Sequence, residues 1–380
     1  MAPTTTADRA SRVWVPVLAG LLLVGGGIAG HQLGSAVLHE RASAIWAATD
    51  ARYDRAGVDL ASQVDQAESL GVRAVTLREV LSAELAGAEA LAALDADLEL
   101  LGERISAPPA RPASGEIRLS EPDVALPAWV RYADLVRLHE LVPARVETAV
   151  RLEVAADQVL DARRAVDDDI RAVFDQAATA AEAQLSAATS ASHRSRLAVE
   201  RLIDDIDDTG VPPGADAYRA LAEAVAELQA SHAAEEARKL TREYPVRAEI
   251  EAFARSIAAG VPLDFSWAYE VAGKPSDGWL AGTAELWPDG GGWSHVTLSE
   301  SISDSWPDEN ARAVVVHEVG HTQALRPVCA AIFSSPVFGG EHEVWATAWA
   351  IGMGYDLPGA GIEAYGRPSD EQIEASKGCR

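Results

Sequence analysis

Two clusters of helix breakers govern what the first 260 residues can become. Pro108, Pro109, Pro112, Pro122 and Pro127 leave no room for helix across 107–127, and Gly210-Val211-Pro212-Pro213-Gly214 stops a second stretch. The stretches they separate, 35–105, 128–208 and 215–259, are amphipathic and alanine-rich, which favours helix over a β-rich core. Leu91, Leu94, Leu98, Leu101 and Ile105 step by three and four, the spacing of a seam between two helices packed lengthwise. Val159, Val166, Ile170, Val173 and Ala177 form a second stripe. Gly57 and Gly71 are expected kinks or short breaks. The expectation is an antiparallel helical hairpin or bundle, a stalk over 39–260 with its Pro-rich break at 107–127. The stripes serve as core in the simplest reading, and a partner-binding coil is the sharper one.

Ahead of the stalk, Arg9 and Arg12 precede residues 13–30, which carry no charge, and only His31 and Gln32 interrupt the apolar character up to Leu38. That length suffices to cross about 30 Å of hydrocarbon. The expectation is a single-pass anchor at 13–38, with 1–12 cytoplasmic and the bulk of the chain extracytoplasmic. A cleaved signal peptide with its site at Gly27-Ile28-Ala29 is the competing reading. Gly26, Gly30 and Gly34 are spaced for close helix pairing in lipid, so a homodimer through them or through the stalk is a further expectation. A formal charge of −26 excludes nucleic acid as a partner held by bulk electrostatics.

Composition changes near residue 260. Seven of the ten tryptophans (267, 279, 287, 293, 306, 345 and 349) fall in 261–380. Segments 263–270, 280–287 and 294–299 read as short strands, and helical segments follow. This gives a compact α+β domain over 261–380. The two cysteines of the chain, Cys329 and Cys379, both lie in it. Outside the cytoplasm they would pair, tying the C-terminal tail back to the middle of the domain.

Within that domain stands His317-Glu318-Val319-Gly320-His321. On a helix, histidines at i and i+4 share one face and can reach one tetrahedral Zn2+, while Glu318 lies beside the metal where a carboxylate can take a proton from a polarised water. Ser305 and Asp308 read as a capping box with Pro307 in the first turn, and 311–316 is an apolar run entering the motif. Three successive valines are mediocre helix formers, so burial must hold this helix. Pro327 is expected to end it. A third histidine in the extended form of the motif is excluded, because Ala324 and Pro327 occupy its Gly and His positions. The better third ligand lies in a second helix beginning near Glu341. Glu343 is followed by Ala346 and Ala350, small residues that permit close packing; Glu341 and His342 are alternatives.

These residues resemble the gluzincin metallopeptidases, in which the pentapeptide on one helix is completed by a glutamate on a following helix. The resemblance spans about 265–356. It implies Zn2+ held by His317, His321 and Glu343, Glu318 as general base, and a peptide or protein substrate. It also implies that the strand before the metal helix, 296–299, is the sheet edge against which the peptide lies. Thr347 stands where thermolysin-like members carry the aspartate that orients a ligand histidine. His342, Tyr355, Tyr365 and His295 are candidates for the oxyanion donor. The expected molecule is a membrane-anchored zinc metallopeptidase on a helical stalk; the alternative is a tethered coiled-coil scaffold or sensor whose zincin-like domain is inactive.

Overall fold

A computed structural model describes the backbone of residues 11–109, 120, 126–208 and 213–379, and the side chains among them except at 11–26 and 207–208. The chain is mostly helical with a small C-terminal sheet, an α+β combination. It divides into two compact units, one of residues 1–79 and 88–173, the other of 80–87 and 174–380. The expected cytoplasmic end at 1–10 lies outside the described residues, as do the side chains of 13–26, the larger part of the expected span. Among the described residues no helix is long and apolar enough to cross a membrane.

The first unit is built on α1 (Ser11–Arg78) and α3 (Ala88–Ser106); the short helix α2 (Ala83–Ala86) between them in sequence belongs to the second unit. Helix α1 passes through Gly57 and Gly71 without a break, contrary to expectation. One glycine costs a helix interior only about 1 kcal/mol, and packing along 68 residues outweighs that. The turn comes at residues 79–87 instead, ending at Gly87 with φ +77°. Leu91, Leu94 and Leu101 are buried, so the seam expected of α3 is present.

Helix α4 (Ala128–Ala187) starts in this unit and buries Val159, Val166, Ile170, Val173 and Ala177. It runs parallel to α1, as successive contacts show. Arg131 meets Gln32, His39 meets Asp134, Arg145 meets Asp50 with its guanidinium 3.9 Å from the Tyr53 ring centroid, and Arg52 meets Glu153. With α3 antiparallel to α1, joined by Arg78–Asp95, the unit is an up-down-up bundle. The expected antiparallel hairpin therefore holds for α1 and α3 and not for α1 and α4.

In the second unit the expected helix 128–208 is interrupted after Ala187 and resumes as α5 (His193–Asp208). The expected 215–259 becomes α6 (Ala215–Arg238) and α7 (Tyr244–Ile257), with Pro245 in the first turn of α7. Strand β1 (Leu263–Ala268) sends Asp264 to the N-terminus of α5, where its carboxylate accepts from the backbone N–H groups of His193 and Arg194 at 2.7 and 3.0 Å. A two-residue ladder of β2 (Glu270–Val271) and β3 (Lys274–Pro275) precedes β4 (Gly282–Trp287) and β5 (Trp293–Ser299).

The three longer strands order as β1-β5-β4, with β1 parallel and β4 antiparallel to β5. Residues 296–299 thus lie on the central strand, which corrects their expected place at the edge. Period-two alternation turns Val296 and Leu298 toward the core and His295 and Thr297 to the opposite face.

Helices α8 (Glu300–Ser305), α9 (Glu309–Thr322), α10 (Pro327–Phe333), α11 (His342–Gly352), α12 (Ile362–Tyr365) and α13 (Asp370–Ser376) complete the unit. Asp308, not Ser305, caps α9, accepting from Asn310 N–H at 2.8 Å. Proline 327 opens α10 at its first turn, after α9 has ended at Thr322. The core runs from Ile250 and Ala254 through Val296, Leu298 and the valines of α9 to Trp345 and Trp349. Cys329 and Cys379 form a disulfide that joins α10 to the C-terminal turn, as expected.

Candidate metal centre

Burial explains how a valine-rich segment becomes the metal helix. Residues 313–322 of α9 are buried on every side, between the sheet and α11. Gly320 is where the two helices meet most closely. A Cβ there would stand 3.0 Å from the carbonyl oxygen and 3.1 Å from the Cα of Ala346, so only glycine opposite alanine admits this approach. The indole of Trp345 donates to the Gly320 carbonyl at 2.9 Å and fixes the register.

That register brings three donor atoms together. Nε2 of His317 lies 3.2 Å from Nε2 of His321 and 3.2 Å from Oε2 of Glu343, and the third side, His321 Nε2 to Glu343 Oε2, is 3.4 Å. The two imidazoles are perpendicular. Ligands about 2.1 Å from a tetrahedral zinc stand about 3.4 Å from one another, so the triangle has the size of a coordination shell's face. Of the three residues considered for the third position, Glu343 joins the group; Glu341 precedes α11 as its N-cap, and His342 stands with its ring 6.2 Å from that of His321.

Hydrogen bonding sets the tautomer of His317. Its Nδ1 donates to the Ala360 carbonyl at 3.0 Å, so in the neutral ring Nε2 carries a lone pair. That lone pair faces a carboxylate oxygen and a second imidazole nitrogen. Two imidazole nitrogens and a carboxylate oxygen, each able to turn a lone pair to one point, form a group that could hold a metal ion. The Ala360 carbonyl takes the orienting role that the resemblance gave to an aspartate, with Thr347 Oγ1 3.5 Å from the same nitrogen. Gly361, at φ +96°, makes room for it. A Cβ there would fall 2.5 Å from Thr347 Oγ1 and 2.7 Å from His317 Cε1.

Glu318 is buried against the start of β4. A Cβ on Gly282 would lie 2.5 Å from its Cγ and 2.8 Å from its carboxyl carbon, so the edge strand can pass the glutamate only as glycine. Its Oε2 is buried without a hydrogen-bond partner. Burial raises the Glu318 pKa above the ordinary carboxylate value, against the opposing pull of His317 and His321. Burial would also raise Glu343, but hydrogen bonds from the two histidines hold it well below the usual range. At His317 burial works against the charged form, and the carboxylates of Glu343 and Glu318 outweigh it, leaving the pKa raised.

Among the expected oxyanion donors, Tyr365 reaches the site. Its ring stacks on His317 with centroids 5.9 Å apart and planes 9° from parallel. Burial and the charge of Glu343 raise its pKa. His295 is on the far face of the sheet, bonded to Ser266 Oγ at 2.9 Å, and Tyr355 packs against the core. Sequence reasoning missed Gly282, Ala360 and Gly361. Pro358-Gly359-Ala360-Gly361 signals a turn, but nothing local shows that it lands on a histidine. No protein-family model, curated protein or solved structure matches the chain.

Proposed function

We propose that the chain is a zinc-dependent metallopeptidase, held at a membrane by residues 13–38 with its bulk outside the cytoplasm. The observation that carries the reading is the convergence of three potential ligand atoms beside a buried glutamate whose Oε2 has no hydrogen-bond partner. His317, His321 and Glu343 would hold the ion, two nitrogens and one oxygen suiting zinc. Zinc in that place supplies Lewis acidity toward water and toward the scissile carbonyl. Glu318 takes the proton of the attacking water on its unpartnered Oε2 and returns it to the amine nitrogen as the peptide bond breaks; its raised pKa suits a carboxyl that must do both. Tyr365, whose ring stacks on His317, offers its hydroxyl to the developing oxyanion.

The peptide lies along β4 rather than β5. Strand β4 is paired on one side only, and its first residue touches Glu318. An extended chain can add to that edge through main-chain hydrogen bonds. The disulfide fits an oxidising compartment. Gly30 and Gly34 have open space around them, which suits pairing with a second copy.

Zinc content and peptide cleavage of the wild type beside Glu318→Gln test the assignment. Bound zinc in both with turnover in the wild type alone supports it. Zinc in both with no turnover in either moves the domain to a scaffold or sensor role.

A further inference from the structure

The ends of α1 and α4 that lie together reverse the usual order of a water-soluble helix pair. Between residues 28–38 of α1 there is no charged residue, and between 126–136 of α4 there are two, Arg131 and Asp134. Both are turned inward, 1 % and 6 % exposed. Arg131 donates to the Gln32 carbonyl at 2.7 Å and to Ser35 Oγ at 3.1 Å; Asp134 pairs with His39 at 3.1 Å. Gln32 closes the end of the pair, donating to the Leu126 carbonyl and accepting from Ala128 N–H.

The residues turned outward are apolar apart from His31, whose ring packs on Tyr132. Trp129 is 74 % exposed, Val136 63 %, Leu33 62 % and Val37 49 %. They do not form one patch. Helical spacing puts Leu33 and Val37 on the side of α1 away from α4, and Trp129 and Val136 on the side of α4 away from the buried Arg131 and Leu138. One docked protein would cover one side, whereas a surrounding apolar medium covers both. The pattern ends abruptly, because Glu40, Arg41, Arg137 and Glu140 are all exposed. In the other direction α1 continues into the uncharged run that begins at Val13.

We propose that this end of the pair, residues 28–38 with 126–136, is immersed in a lipid bilayer where the hydrocarbon gives way to the headgroup layer, with Trp129 and Tyr132 at headgroup depth. The anchor would then be a helix and a collar. Tryptophan and tyrosine favour that depth, and Tyr132 directs its hydroxyl to His31 Nδ1 at 3.4 Å. Burying the polar groups in internal pairs is what a low-dielectric layer demands. The inference rests on the proposal that 13–38 is a membrane anchor.

The test uses the full chain in phosphatidylcholine vesicles, with a nitroxide on Trp129→Cys, Leu33→Cys or Glu140→Cys in turn; the native cysteines are paired and do not react. Position 140 lies about 16 Å further along α4. Oxygen collisions relative to those of a water-soluble nickel chelate should be several-fold higher at 129 and 33 than at 140. Equal ratios at 129 and 140 overturn the collar, as does a label at 129 shielded from both reagents, which would mean a protein covers it. Alkaline carbonate extraction separates the two proposals. A chain that stays with the vesicles while label 129 reports water keeps its anchor and loses the collar; a chain that washes off loses both.

Discussion

Buried polar groups occur in both units, and they are arranged in opposite ways. At the paired ends of α1 and α4 the buried charged groups have their complements: the Arg131 guanidinium has a carbonyl and a hydroxyl, and His39 has Asp134. At the metal centre two imidazole nitrogens and a carboxylate oxygen converge on one point, and Glu318 Oε2, buried beside β4, has no hydrogen-bond partner. A satisfied cluster is complete as it stands and acts on register and stability. A cluster whose atoms can all serve as ligands at one point gains stability from a cation, so its residues point to a ligand. The contrast separates structural polarity from functional polarity without reference to any other protein.

Removing one member from each cluster gives the largest difference. His317→Ala should abolish zinc binding, so that the melting temperature no longer responds to zinc. The wild type should gain about 2.7 kcal/mol at a hundredfold excess of zinc over its Kd. Asp134→Ala leaves His39 buried without its partner and should cost about 3 kcal/mol of stability while leaving zinc affinity intact. Isothermal titration with zinc alongside thermal unfolding reads both; zinc binding that survives His317→Ala breaks the comparison.

A smaller effect should come from the groups that only orient the donors. Gly361→Ala forces a side chain into a left-handed backbone and against His317, and should weaken zinc binding about 10- to 100-fold. Gly320→Ala pushes α11 away from α9 and should lower stability by about 1–3 kcal/mol, with a parallel loss of affinity as Glu343 withdraws.

The smallest effect belongs to the first unit. Burial, with the neighbouring Asp97 and Asp168 carboxylates, pushes Asp169 up to about 6. Its protonated form is favoured by folding, so the stability it contributes is complete below the unfolded value near 4 and is lost as pH rises through about 6. Asp169→Asn should flatten that dependence and raise stability at pH 7 by about 1 kcal/mol after solvent screening, read by denaturant unfolding at pH 4.5 and 7.

Local periodicity made much of this legible in the sequence. Leu91, Leu94 and Leu101 of the α3 seam and the whole α4 stripe are buried where their spacing puts them, with Leu98 and Ile105 half-buried, because a helical face depends only on residues three and four apart. Boundaries were less legible. Apolar spacing continues across the breaks after Ala187 and between Arg238 and Tyr244 and so hides them, and Asp308 rather than Ser305 caps α9.

The sequence by itself determined that His317 and His321 share a helix face with Glu318 beside them, and that a second helix with small residues at 346 and 350 could bring Glu343 to them. Tertiary structure alone decided that α4 runs parallel to α1, that β4 and not β5 is the sheet edge beside Glu318, and that His295 faces away. It also decided that a carbonyl 43 residues downstream orients His317. The reason is one of range. Helix faces follow from neighbours along the chain, whereas strand order and the landing place of a turn depend on how distant segments share one core, which no short window of sequence contains.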